Sequence, residues 1–373
     1  MTSKNKLKIA LVITGLGVGG AERVVVDLAD GLVSHGHQVL LVYLTGEALV
    51  QPNNPFVRIL GLGMRSTLGI LGAYRLLRSA LRAFKPDVVH GHMFHANILV
   101  RLLRLAHPLS CVITTSHSSN EGGRLRMLAY RSTDRLADLS TNVSEEAVVA
   151  SLQRRAVKPG RIVVVHNGIN TEKYRYSATA RHEIRRELGI AKEITLLLAV
   201  GRMSEAKDYP NLFIALSLLG GLRSGCQLFV AGGGQLLVPL ARQVKEMGLQ
   251  DCVHFLGIRQ DVARLYSASD VFVLSSAWEG LPMVVLEAMA NERIVVATDC
   301  GGVKEAVGDT GFLMPPRQPE ALADSLRAAI SLTAREKQRL GQLARERVCR
   351  LYSSEAALDK WIRLYMHCLG RSV

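Results

Sequence analysis

The chain has 373 residues, 48% of them hydrophobic, and carries a net charge of +14. That length predicts two domains of roughly 150–200 residues, each large enough to bury its own core. No apolar run approaches the roughly 18 residues of a membrane span, and the run at 9–13 is too short for a secretory leader.

Short β-branched runs alternate with helical patterns along the chain. In the first half they lie at 9–13, 39–44, 87–90, 112–116, 139–143 and 162–166. The first run leads into Gly15-Leu16-Gly17-Val18-Gly19-Gly20, a literal G-x-G-x-x-G ahead of a helical pattern. The second ends at Thr45 with no carboxylate before Glu47, which disfavours a dinucleotide site. The loop either lets a ligand's phosphate or sugar approach the backbone or is a packing turn.

Residues 68–84 interleave Arg75, Arg78 and Arg82 with Leu71, Tyr74, Leu77, Leu81 and Phe84, and Lys85 follows. Arg101, Arg104, Arg124, Arg126 and Arg131 come next, and residues 1–170 hold 20 Lys+Arg against 10 Asp+Glu. A basic amphipathic helix on a basic domain suits an anionic membrane surface, with an ordinary solvated face as the alternative. Little aromatic interleaving and no binding motif argue against nucleic acid. His90, His92 and His95 lack a partner carboxylate triad and no D-x-D occurs, so no metal site is expected. His117 follows the fourth run.

A turn signal at 166–170 and a polar stretch to about 191 mark the boundary between domains 1–170 and 171–354. The second half repeats the pattern at 194–200, 227–231, 253–256, 271–274, 294–297 and 311–314. Arg202 and Lys207 follow its first run, five residues apart, and can clamp a diphosphate. Gly232-Gly233-Gly234 follows its second and admits a ligand or simply turns the chain. Glu279 and Glu287 flank a loop-to-helix junction in which Pro282 fits the first helical turn. Amides at that helix start can hold phosphate. A glycosidase pair is the competing reading of these glutamates. Residues 355–373 form a last amphipathic helix, with Ala357, Leu358, Trp361, Leu364 and Tyr365 on one face.

About six apolar strands per half, alternating with helices, predict two doubly wound α/β domains that face each other across a cleft. Six cysteines, at 111, 226, 252, 300, 349 and 368, show no CxxC or metal-ligand spacing, so a reducing cytosol is the expected compartment.

Taken in order, these motifs resemble glycosyltransferase family 4, whose fold is GT-B. The likeness rests on Gly19-Gly20-Ala21-Glu22-Arg23, Val143-Ser144, Asn167-Gly168-Ile169-Asn170, Gly201-Arg202 with Lys207, and Phe255-Leu256-Gly257. It extends to the Glu279-x7-Glu287 block and to Gly301-Gly302 with Glu305. It implies a retaining, metal-independent transferase that uses a nucleotide sugar, a UDP-sugar by the family's habit, and no separate cofactor. Arg202 and Lys207 would hold the diphosphate, Glu287 the ribose and Glu279 the donor sugar, with His117 near sugar and acceptor. Gly19 and Gly20 would close over the phosphates, and Gly233, Ile258, Leu281, Met283 and Val284 would complete the donor site. The first domain would take a glycan or lipid-linked acceptor of bacterial polysaccharide or lipopolysaccharide synthesis at the inner face of the membrane. The last helix would cross back to that domain. Three positions depart from the family pattern: Lys207-Asp208, Gly234-Gln235 and Asn291-Glu292-Arg293. A sugar-nucleotide epimerase and a non-catalytic binding protein are the alternatives.

Overall fold

The computed structural model describes residues 6–17, 19–64, 69–118, 122–221 and 225–371. The chain divides into two units: Met1–Gly168 with Ser354–Val373, and Ile169–Ser353.

The first unit holds seven parallel strands: β1 (Lys8–Gly15), β2 (Gln38–Thr45), β3 (Arg58–Gly61), β4 (Val88–His92), β5 (Cys111–Ser116), β6 (Leu139–Asn142) and β7 (Ile162–Val164). Their order is β3-β2-β1-β4-β5-β6-β7, so the winding direction reverses between β1 and β4. Period-two alternation builds a core on each face. Ile9, Leu11 and Ile13 of β1 join one cluster, and Ala10 and Val12 join the other. The helix Gly20–Ser34 buries Val25, Val26, Leu28, Ala29 and Leu32 on the first of these faces. The helix Ser354–Cys368 packs on the same side and buries Leu358, Trp361 and Tyr365 there, whereas Leu364 is only half-buried.

The second unit holds β8 (Thr195–Val200), β9 (Cys226–Ala231), β10 (Val253–Gly257), β11 (Val271–Leu274), β12 (Ile294–Thr298) and β13 (Phe312–Met314). All are parallel, in the order β10-β9-β8-β11-β12-β13, and the reversal falls between β8 and β11. Both units are therefore the doubly wound α/β domains expected, with the last helix on the first.

Several local expectations need correction. β3 has no counterpart among the expected runs. It is an edge strand of four residues, mostly exposed, so it needs no apolar run. The polar stretch to residue 191 contains the helix Ala178–Glu187. Polar bonds help dock it: Arg181 and Arg185 both donate to the Asp270 carboxylate, at 2.5 and 3.2 Å. In the basic stretch, Leu68 lies outside the described residues. The helix Ile70–Phe84 buries Ala73, Leu77, Leu81 and Phe84 but leaves Leu71 69% exposed. Cys111 and Cys368 are joined as a disulfide across 257 residues, a pairing that spacing in sequence could not show and that a reducing compartment does not favour. No helix among the described residues is long and apolar enough to cross a membrane.

Candidate functional site

In open α/β sheets, ligands bind outside the carboxyl ends of the strands, where the winding reverses. In the second unit those ends belong to β8 and β11, and the charged candidates sit there. The chain leaves β8 through Gly201 and Arg202, makes a 3-10 turn at Glu205–Lys207, and enters the helix Tyr209–Leu218. It leaves β11 through Ser275 and Ser276 and runs through Glu279 to the helix Met283–Ala290.

These two loops are bonded to each other. The Lys207 ammonium donates to Glu279 Oε1 at 2.6 Å, and the Ser276 hydroxyl donates to the same oxygen at 2.6 Å. Ser275 Oγ donates to the Lys207 carbonyl and Ala277 N to the Ala206 carbonyl, both at 2.8 Å. The pair is largely buried, at 17% and 14% side-chain exposure, so the ammonium and carboxylate orient each other away from bulk water. Arg202 is exposed on the same loop.

Glycine in the next loop serves backbone packing. A side chain on Gly232 would run into the Gly201 carbonyl, and Met203 N donates to the Gly233 carbonyl at 2.9 Å. Gly232 and Gly234 thus admit another stretch of this chain, the Gly201 and Met203 carbonyls, and fix the loop that carries Arg202. Ile258, 74% exposed, flanks Gly233: a Cβ there would meet Ile258 Cγ1 at 3.1 Å.

Pro282 stands just outside the helix it was expected to begin, as its N-cap in extended conformation. Met283 and Val284 open the helix, half-buried, and Leu281 is buried. Their amides precede any i−4 carbonyl, the condition for holding an anion. Glu287, one turn in, accepts a 2.9 Å bond from the Tyr266 hydroxyl. Burial, then the Glu287 carboxylate, holds the Tyr266 phenol in its protonated, donating form. Tyr266, Ser276 and the Gly301-Gly302 pair are site-shaping residues whose roles local reading missed. Gly302 N donates to the Gly280 carbonyl at 2.6 Å, and Gly301 leaves no room for a Cβ beside the Glu279 carbonyl. Only the Gly-Gly pair left a trace in sequence.

In the first unit the corresponding strand ends carry Gly19, Gly20 and the histidines. Gly19 is the N-cap of Gly20–Ser34, and Val18 lies outside the described residues. His117 Nε2 lies 3.1 Å from Nδ1 of His92, the last residue of β4. His90 is fully buried between Tyr365 Oη, at 2.7 Å, and Thr115 Oγ1, at 2.6 Å. His95 lies in the first turn of a different element, the helix Phe94–Leu103. Among the described residues, the one group of His, Cys, Asp and Glu close enough to share a metal is Cys111, Asp138 and Cys368, two of which are disulfide-bonded.

The His92–His117 contact accommodates one proton between its two facing nitrogens. Burial lowers the His117 pKa to about 4 from 6.5. Burial, then His90 and His117, pushes His92 well below the ordinary value, and burial, then His117, does so for His90. For a depressed histidine the unfolded chain binds the proton first. Stability is complete above pH 6.5 and falls as pH drops toward 4, by on the order of 3 kcal/mol for His117. His117→Asn therefore shows a shallower fall in thermal midpoint over that window. Parallel curves for the two proteins would refute the buried neutral His117.

The family profile described as Glycosyltransferase Family 4 matches residues 18–173, and that described as Glycosyl transferases group 1 matches residues 180–347. The architecture is that of the GT-B transferases. The chain belongs to glycosyltransferase family 4. It is 29% identical over 259 residues to the putative glycosyltransferase EpsD of Bacillus subtilis, covering 65% of this chain and 67% of that one. It is 27% identical over 248 residues to an Escherichia coli alpha-1,3-galactosyltransferase named for UDP-Gal and alpha-D-GlcNAc-diphosphoundecaprenol, covering 62% of each. These matches thus span about three-fifths to two-thirds of the relatives' lengths. The crystal structure of Anabaena HepE in complex with UDP superposes with a TM-score of 0.85 at 19% identity, over 97% of this chain and 100% of that one.

Proposed function

We propose that the chain is a retaining glycosyltransferase that moves a sugar from a UDP-sugar to a glycan or lipid-linked acceptor of bacterial polysaccharide or lipopolysaccharide synthesis. The observation that carries this reading is the Lys207–Glu279–Ser276 cluster at the β8/β11 reversal, beside the start of Met283–Ala290. One element of the cluster is cationic and one is an acceptor for hydroxyls, as a sugar diphosphate requires. Family membership and the UDP named for the Anabaena structure support the donor class. The E. coli relative's name supports the acceptor class.

In this mechanism Arg202, Lys207 and the amides of Met283 and Val284 stabilise the charge that gathers on the departing diphosphate. That role falls to side chains and amides, without a metal. Glu279 accepts from hydroxyls of the donor sugar, and Glu287, held by Tyr266, accepts from the ribose. Gly233, Ile258 and Leu281 line the nucleotide. His117 presents a neutral imidazole to sugar or acceptor from the first unit, and Gly19 and Gly20 cover the phosphates. The acceptor attacks from the side the diphosphate leaves, and the departing phosphate takes its proton. The first unit binds the acceptor and rests on the inner membrane face through the helix Ile70–Phe84, where Leu71, Leu76 and Arg75 are exposed.

A panel of nucleotide sugars, incubated with the chain and membrane extract and read by mass spectrometry, tests the proposal. Release of UDP with a new glycoside is the expected result. Isomerised donor without UDP release would establish the epimerase reading instead. Silence across the panel, with donor still bound, would establish the binding protein.

A further inference from the structure

Three imidazoles are stacked where β4 and β5 of the first unit end. The ring centroids of His90 and His92 are 3.9 Å apart, and those of His92 and His117 are 5.4 Å apart. Burial keeps all three rings neutral, so each carries one ring proton. The hydrogen bonds decide where each proton sits.

His90 uses both of its nitrogens. The buried Tyr365 hydroxyl has His90 Nδ1 as its partner, and a buried O–H donates rather than leave its proton unmatched. The His90 proton therefore lies on Nε2 and goes to Thr115 Oγ1, which in turn donates to Thr141 Oγ1 at 2.6 Å. His90 thus holds His92 by stacking and gives it no hydrogen bond. The backbone beyond His92 is fixed as well. Met93 has φ +69°, a left-handed value that a non-glycine residue keeps only where its surroundings enforce it. Its N–H donates to the Thr115 carbonyl at 3.1 Å.

His92 is 1% exposed, and its Nδ1 lies 3.1 Å from His117 Nε2. Among the described residues its Nε2 has no hydrogen-bond partner. A proton on that Nε2 would be a buried donor without an acceptor. A proton on Nδ1 makes the bond to His117 and leaves only a lone pair unmatched. Buried N–H groups without an acceptor are the rarer of the two in folded chains.

We propose that His92 is a positioning residue for sugar transfer: its Nδ1–H donates to His117 Nε2, which leaves the His117 proton on Nδ1. The proposal rests on the transferase reading above. His117 can then donate to an oxygen of sugar or acceptor, but it has no lone pair left for the acceptor's proton. That proton goes to the departing phosphate without competition from a general base.

Proton–nitrogen correlation spectra of the full chain, with 15N-labelled histidine and no donor present, read the tautomers directly. Wild-type protein shows His92 and His117 as Nδ1–H forms and His90 as the Nε2–H form, each assigned by substitution. His92→Phe keeps a ring against His90 but offers no donor. The His117 resonances then move, and kcat for transfer falls roughly tenfold while the KM for donor changes less than about twofold. His92→Asn places an amide nitrogen as far from Cβ as Nδ1 and restores most of kcat. An Nε2–H form of His117 in wild-type protein, His117 resonances unmoved by His92→Phe, or a kcat no better in His92→Asn than in His92→Phe would each overturn the proposal. Should His92→Phe not fold, the wild-type spectrum decides. A silent donor panel leaves that spectrum standing, and a contrary spectrum leaves sugar transfer standing.

Discussion

Alanine at position 207 lowers kcat/KM for sugar transfer by roughly 10²–10³-fold, the usual cost of removing one preorganised group that stabilises developing charge. The fold survives the change. The Lys207 stem lies over Gly201, where a Cβ would meet its Cε at 2.9 Å, and the ammonium pairs with a carboxylate that also bonds Ser276. Removing it costs about 1–3 kcal/mol: it leaves a largely buried carboxylate without its cation, but Glu279 keeps the Ser276 donor. A domain of ordinary stability tolerates that loss. Steady-state kinetics beside a thermal melt separates the two effects. Near wild-type transfer by Lys207→Ala would remove this side chain from the chemistry, and an activity loss that tracks unfolding would make it structural.

Gly301→Ala combines a stability loss with a catalytic one. Gly301 has φ +58°, in the left-handed region, and a methyl group there meets backbone: the carbonyls of Glu279 and Gly280, the latter at 2.8 Å. Neither can move without shifting the loop that holds the Glu279 carboxylate. The expected cost is about 2–4 kcal/mol, with turnover falling more than tenfold in protein that remains folded. Gly46→Ala is the control. Its φ is +75° with open space around the added methyl, so it pays only the conformational cost, about 1 kcal/mol. Equal melting shifts in the two variants would show that Gly301 does not hold the Glu279 loop.

The α/β architecture was legible because buried parallel strands need continuous apolar runs, and twelve such runs stood out between helical patterns. What escaped obeys other rules. The edge strand β3 is exposed, and the helix Ala178–Glu187 is docked in part by Arg181 and Arg185 on Asp270. The site was legible as a set of residues at strand ends, since Arg202, Lys207 and Glu279 all follow apolar runs directly or nearly so. Their partnerships were not. Lys207 and Glu279 are 72 residues apart, and Tyr266 and Glu287 are 21 apart. Only the β8–β11 adjacency brings the first pair together. The Gly232-Gly233-Gly234 loop had two readings from sequence; the Gly201 and Met203 carbonyls occupy the places of side chains at Gly232 and Gly234, so those two glycines serve packing, a partnership that no local pattern announces.

The helix Ser354–Cys368 gives the molecule an order of assembly. Its residues are synthesised after the whole of Ile169–Ser353, yet Trp361 and Tyr365 complete the core of the first unit and Tyr365 anchors His90. The second unit has all its strands and its own core before that helix exists, so it can fold while the first waits with part of one apolar face of its sheet, beside the helix Gly20–Ser34, uncovered. The nascent first unit is thus the aggregation-exposed species, and a chaperone's demand falls on the half made first.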